Sequence, residues 1–211
     1  MAAFAPYPRL LLHVLVSESS PPRPRGKPAT RHSMLSRRDA LTVGERDAFA
    51  ATIAARVDGL FDEKRPSVVG LYAAKGSEVP TASIDMAARR RGVRVVYPRI
   101  VGAERRLVFC EAAREELVSG RFGIAEPREG APVVELGEIG AFVVPGVAFD
   151  RTSGARLGWG RGHYDATLSA VPQALRIGLA FEIQMTDDIA HEPHDVAMNL
   201  IVTEVATYVV A

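Results

Sequence analysis

The chain has 211 residues, 47% of them hydrophobic, and its 26 Lys+Arg against 25 Asp+Glu leave a formal charge of +1. That is enough chain for one domain burying roughly 70% of its unfolded surface. Charges of both signs are spread along it, so bulk charge gives no case for a nucleic-acid or membrane partner. Cys110 is the single cysteine. An intrachain disulfide is therefore impossible and a reducing, cytoplasmic setting is expected; the apolar neighbours of Cys110 suit a small buried hydrophobe better than a nucleophile.

Residues 1–26 read as a flexible N-terminal extension, because residues 17–27 hold three prolines, two arginines and a run of serines. The apolar run at residues 10–16 is interrupted by His13 and too short to span a bilayer, and no cleavage pattern follows it. The periodic part of the chain starts next. Pro28 is permitted in a first helical turn, and a polar helix is predicted over residues 28–40. Thr42-Val-Gly-Glu45 has the spacing of a capping box. Behind it Phe49, Ile53, Val57 and Leu60 form one apolar helical stripe.

A strand is predicted over residues 67–74, a helix over residues 80–91 closed by Gly92, and a strand over residues 93–97. The basic cluster Arg89-Arg-Arg91 with Arg94 falls at that helix's end, where cations suit the helix dipole, and this outweighs a nucleic-acid patch. Further strands are predicted at residues 107–110, 141–144, 175–181 and 200–203. A helix is predicted from about Gly162, with Tyr164, Leu168 and Val171 on its apolar side. Alternating strands and helices with short connections imply an α/β fold: a single-domain three-layer sandwich over residues 27–211, mostly parallel sheet, helices on both faces. Ligands of such sheets bind beyond the strands' carboxyl ends. The Gly76–Glu78 loop, the Tyr97–Arg99 turn and the 145–162 loop should collect there.

The 145–162 loop is the densest in chemical content. Gly158, Gly160 and Gly162 alternate, leaving the backbone free to turn successive N–H groups toward one anion. The following helix would add its positive end. Arg156 and Arg161 flank the glycines, and Asp165 falls in the first helical turn. The loop is neither a Walker A loop, lacking Gly-Lys-Ser/Thr, nor a dinucleotide fingerprint. It reads as a phosphate cradle.

The longer strings Pro145-Gly-Val-Ala-Phe-Asp150 and Arg156-Leu-Gly-Trp-Gly-Arg-Gly-His-Tyr-Asp165 resemble the signature of the 5-formyltetrahydrofolate cyclo-ligase family, also called methenyltetrahydrofolate synthetase. The resemblance runs from residue 27 to about 205. It takes in Gly76-Ser-Glu-Val79, Tyr97-Pro-Arg99, Phe122-Gly-Ile-Ala-Glu-Pro127, Gly178-Leu-Ala-Phe181, Glu192-Pro-His-Asp195 and Ile201-Val-Thr-Glu204. It implies conversion of 5-formyltetrahydrofolate to 5,10-methenyltetrahydrofolate with ATP going to ADP and phosphate, by a monomer that needs Mg²⁺. It also implies an ATP site at Lys27, Arg31 and the run Arg156, Leu157, Gly158, Trp159, Gly160, Arg161, Gly162, His163 and Tyr164. The folate site would comprise Arg31, Ala73, Glu78, Trp159, Gly160, Arg161, Gly162 and His163. Arg161 and Tyr164 would be catalytic, and Asp165 and Asp195 would ligate the metal. Tyr97 and Arg99 could lie beside the pteroylglutamate, whereas Arg37 and Arg38 read as a solvated face.

The chain departs from the family pattern at His163, where Tyr is usual, and at Pro80 and Asn199, where acidic residues are common. Imidazole titrates near neutrality and could alter pH dependence. Two other readings stay open: a phosphate- or nucleotide-binding regulatory module without folate turnover, and an ATP-dependent enzyme acting on another formyl or amide substrate. The His191/His194/Asp195 group also leaves transition-metal ligation as a lesser alternative.

Overall fold

A computed structural model describes residues 26–187 and 189–210. The expected extension and the apolar run at residues 10–16 lie outside the described residues, apart from Gly26. Helix α1 (Lys27–Asp39) begins with proline in its first turn. Helix α2 (Val43–Lys64) carries the full capping box: Thr42 Oγ accepts the Glu45 N–H at 3.2 Å and Glu45 Oε2 accepts the Thr42 N–H at 2.8 Å. Its buried stripe is Ile53, Ala54, Val57 and Phe61, with Phe49 and Leu60 only partly covered. The strict i+4 row thus ends on Phe61, where Leu60 was expected.

The order continues with β1 (Val68–Gly70), α3 (Ala82–Arg90), β2 (Arg94–Arg99), β3 (Val108–Glu111), β4 (Val118–Ser119), β5 (Ala125–Glu126) and β6 (Val133–Val134). It closes with β7 (Ala141–Pro145), β8 (Ala148–Phe149), β9 (Arg156–Leu157), α4 (His163–Leu168), β10 (Leu175–Leu179), β11 (Leu200–Val202) and β12 (Thr207–Val209). Eight strands form the main sheet in the order β12-β11-β10-β7-β1-β2-β3-β6. From β11 to β2 neighbours are parallel; β12, β3 and β6 join antiparallel at the edges. β4–β5 and β8–β9 are separate hairpins.

Parallel strands covered on both faces should be apolar at successive positions, and β7 is: Ala141 and Val143 face one cluster, Phe142 and Val144 the other. Ile53, Val57 and Phe61 of α2 and Ile84 and Ala88 of α3 pack on Val69, Val95, Val143 and Ile177. On the opposite face Leu168 of α4, Val171, Phe109 and Phe149 cover Val96, Phe142, Val144 and Ile201. Helices therefore lie on both faces, but unequally, since α4 has only six residues.

Several boundaries differ from expectation. Leu71 N–H still reaches the Val96 carbonyl at 2.9 Å, but the chain then leaves the ladder for the turn at residues 75–78, so β1 is shorter than 67–74. α3 starts at Ala82, because the Thr81 hydroxyl donates to the Tyr72 carbonyl at 2.7 Å instead of capping the helix. The basic cluster is largely ion-paired: Arg89 with Asp85, Arg91 with Asp58, and Arg94 with Glu111. Cys110 is buried, and burial pushes its thiol up. Among the described residues no helix is long and apolar enough to cross a membrane.

Candidate active site

Beyond the carboxyl ends of β1, β2 and β7 lies one cavity of about 560 Å³. β1 feeds Ala73, Lys75 and Glu78 into its wall, β2 feeds Pro98 and Ile100, and β7 feeds Pro145 and Gly146. The glycine run does not continue straight from β7. The hairpin β8–β9 intervenes, its turn closed by Asp150 Oδ1 accepting the Thr152 and Ser153 N–H groups at 2.8 and 3.2 Å.

Within the loop Gly160 (φ 85°) and Gly162 (φ 70°) adopt left-handed backbone, which a side chain would oppose. Gly158 does not; its carbonyl accepts Arg31 Nε at 2.9 Å and so fastens the loop to α1. The dipole argument weakens, because six residues are too few for a full macrodipole. Leu157 lines the cavity, yet it is only 3% exposed and packs with Met34, Val147 and Ala148. What it presents to the cavity is therefore mainly backbone.

The two acidic residues expected to hold metal both line the cavity, and one of them bonds the residue that follows the other. Asp165 accepts both Arg156 Nη2 bonds, at 3.0 and 3.1 Å, and its Oδ1 also takes the Val196 N–H at 3.3 Å. Asp195, one residue before Val196, accepts Lys27 Nζ at 2.9 Å and the Glu192 N–H at 2.9 Å. Burial would raise the Asp195 carboxyl, but the Lys27 ammonium and the Glu192 amide outweigh it and hold it below the usual range. Burial likewise opposes the Lys27 charge, and Asp195 and Glu192 more than compensate.

Two buried polar atoms in the wall have no partner among the described residues, the Tyr164 hydroxyl and Arg156 Nε. Burial, with only partial relief from Arg156, raises the Tyr164 phenol well above its ordinary value. Buried orphans of this kind cost about 1–3 kcal/mol unless something arrives to bond them. Also in the lining, Glu78 Oε2 accepts the Lys75 N–H at 3.0 Å, and Glu78 Oε1 accepts the Trp159 indole N–H at 3.4 Å. At the rim the Arg161 guanidinium lies 3.9 Å from the centre of the Phe122 ring. His163 Nδ1 contacts the Arg105 carbonyl at 2.8 Å.

The sequence model of the 5-formyltetrahydrofolate cyclo-ligase family matches residues 23–204. The chain belongs to that family. A Mycolicibacterium smegmatis 5-formyltetrahydrofolate cyclo-ligase is 33% identical over 186 residues, covering 85% of this chain and 94% of the relative. The solved Aquifex aeolicus 5,10-methenyltetrahydrofolate synthetase superposes with TM-score 0.76 at 27% identity, covering 87% of this chain and 92% of that one. The Mycoplasma pneumoniae synthetase has the same fold, with TM-score 0.71 at 24% identity over 84% of this chain and 98% of that one.

In this cyclo-ligase family member, the residues expected to form the ATP, folate and metal sites line one cavity: Lys27 and Arg31 from α1, Ala73 and Glu78 after β1, the run 156–165, and Asp195. Tyr97 and Arg99, expected beside the pteroylglutamate, are not among its lining residues, and the expected solvated face of α1 is buried in part. Tyr97 is fully buried and its hydroxyl donates to Asp85 at 3.1 Å, because it falls on the sheet face under α3. Arg38 is buried while Arg37 is exposed, because α1 packs against the β8–β9 hairpin and the 75–78 turn instead of standing free. Sequence reasoning assigned no role to Lys75, Phe122, Glu126 or Glu192, which also line the cavity, as does His194, read there only as an alternative metal ligand. For Phe122 a signal existed in the Phe-Gly-Ile-Ala-Glu-Pro string. The structure adds a second, since Phe122 is one of two described non-glycine residues at positive φ (59°), an outlier of the kind that clusters at ligand sites.

Proposed function

We propose that the protein converts 5-formyltetrahydrofolate to 5,10-methenyltetrahydrofolate with ATP as phosphoryl donor. The observation that carries this reading is the company kept in one cavity. It gathers four cations, Lys27, Arg31, Arg156 and Arg161, with the glycine loop, Glu78, Ala73 and a Tyr164 hydroxyl that is unpartnered among the described residues. A formyl amide is a poor electrophile. Phosphorylation of its oxygen makes that oxygen a leaving group, N10 then attacks the carbon, and phosphate departs.

The chain's part is alignment and charge. Loop N–H groups and the cations hold the phosphates and meet charge that spreads over the transferring group. Tyr164 donates its hydroxyl to an oxygen of the reacting centre, which removes the orphan. Glu78 and Ala73 hold the folate side, with Trp159 and His163 closing over it.

Asp165 and Asp195 suit Mg²⁺ as a pair: oxygen donors at one wall, with phosphates and water free to complete the shell. Bound there, Mg²⁺ would neutralise nucleotide charge. Lys27 and Arg156 hold the two carboxylates in place from the protein side. Glu192, His194 and Asp195 offer donor atoms within 4.8 Å of one another, but Glu192 and His194 are exposed and one imidazole makes a weak case for a transition metal.

The test is formation of the methenyl chromophore by purified protein. It should require 5-formyltetrahydrofolate, ATP and Mg²⁺ together and release one ADP per product. Nucleotide binding with no chromophore would instead favour the regulatory-module reading.

A further inference from the structure

Arg38 is 3% exposed near the end of α1. Interior guanidinium groups usually meet a carboxylate directly. Arg38 donates instead to two neutral acceptors, Ser77 Oγ at 2.9 Å and the Gly146 carbonyl at 3.4 Å. Burial works against its charge, and Glu78 is the carboxylate that does most to sustain it. Both acceptors belong to the cavity's framework. Ser77 precedes Glu78 in the folate-side turn, and its hydroxyl donates in turn to Asp39, the next residue of α1. Gly146 is where the chain leaves β7 for the hairpin that carries the glycine loop; Gln184 Nε2 grips the same carbonyl at 3.0 Å. α1 itself brings Lys27 and Arg31 to the cavity.

We propose that Arg38 is a positioning residue for this reaction. Its guanidinium ties the Glu78 turn and the root of the glycine loop to α1, and so sets the span across which the phosphoryl group moves. The inference rests on the functional reading above. Transfer between two bound substrates depends steeply on their mutual placement. A planar fork reaches two acceptors in fixed directions, which a lysine ammonium does not reproduce.

Trp159 offers a readout independent of turnover. It is the only tryptophan in the chain, and its indole donates to Glu78. Its emission therefore reports where Glu78 sits relative to the loop. In the full-length Arg38→Lys variant we expect a cooperative melt, a shifted Trp159 emission without ligands, and kcat lower by about 10- to 100-fold. ATP binding measured alone should change little. Ser77→Ala removes the same tether from the turn's side and should move emission and kcat in the same direction.

A lowered melting temperature with wild-type emission and kcat in Arg38→Lys would make Arg38 a scaffold residue and overturn the proposal. Should that variant fail to fold, unchanged emission and kcat in Ser77→Ala overturns it equally. A wild type that forms no methenyl product overturns the functional reading, and this assignment with it. A wild type that turns over beside an equally fast Arg38→Lys overturns the Arg38 assignment alone.

Discussion

Arg161 sits on an exposed loop, with its guanidinium against the face of Phe122. It forms no salt bridge among the described residues, so its charge remains available to a phosphate. Arg161→Ala should lower kcat far more than it raises the folate KM. Loss of one such transition-state contact costs about 2–4 kcal/mol, and an unchanged kcat would remove Arg161 from the machinery. Glu126 presents the opposite case, a carboxyl at the cavity wall that burial raises above its ordinary range despite the Ile100 N–H it accepts at 3.3 Å. With a folded pKa above the unfolded one, its protonated form favours folding. That stability is fully present below the unfolded value of about 4.3 and is lost as pH rises through the folded value. Glu126→Gln should therefore melt at or above the wild-type temperature at about pH 7, with the difference closing near about pH 4. Thermal melts at the two pH values check this, and a variant less stable only at the higher pH would reverse the sign.

In the parallel core, β1 and β10 each carry a glycine where the opposite face needs room for an aromatic ring. A Cβ at Gly178 would stand 2.5 Å from Phe149 Cε1, and one at Gly70 would stand 2.9 Å from Phe109 Cε1. Neither residue is at positive φ; the requirement is space. Gly178→Ala should destabilise the fold by about 1–3 kcal/mol through overpacking, read as a lowered melting temperature. Wild-type stability would show that Phe149 can move aside. The core strands were legible as apolar runs because burial on both faces leaves no polar alternation. The edge strands β6 and β12 and the hairpins β4–β5 and β8–β9 were not. Each spans two or three residues, fewer than a period-two pattern needs to register.

At the scale of the molecule, the catalytic unit we propose begins at α1. Lys27 and Arg31 cross from this helix to Asp195 and Gly158. Deletion of residues 1–25 should leave melting temperature and turnover near wild type. Deletion through Arg31 should raise the ATP KM by removing both cations. A first truncation that already lowers stability or activity would move the boundary upstream.

Residue order alone determined the alternation of helices and strands, the parallel core, the capped start of α2 and the make-up of the phosphate loop. Each depends on neighbours within a few positions, which is the range that helical and strand periodicity report. Tertiary structure decided what lies beyond that range. It buried Arg38 through partners 39 and 108 residues away, and it joined Lys27 to Asp195 across 168. It also sent Tyr97 into the core and brought Phe122 and Glu126 to the cavity. Those outcomes follow from which loops meet at one sheet edge. That meeting is set by strand order, which no local pattern encodes.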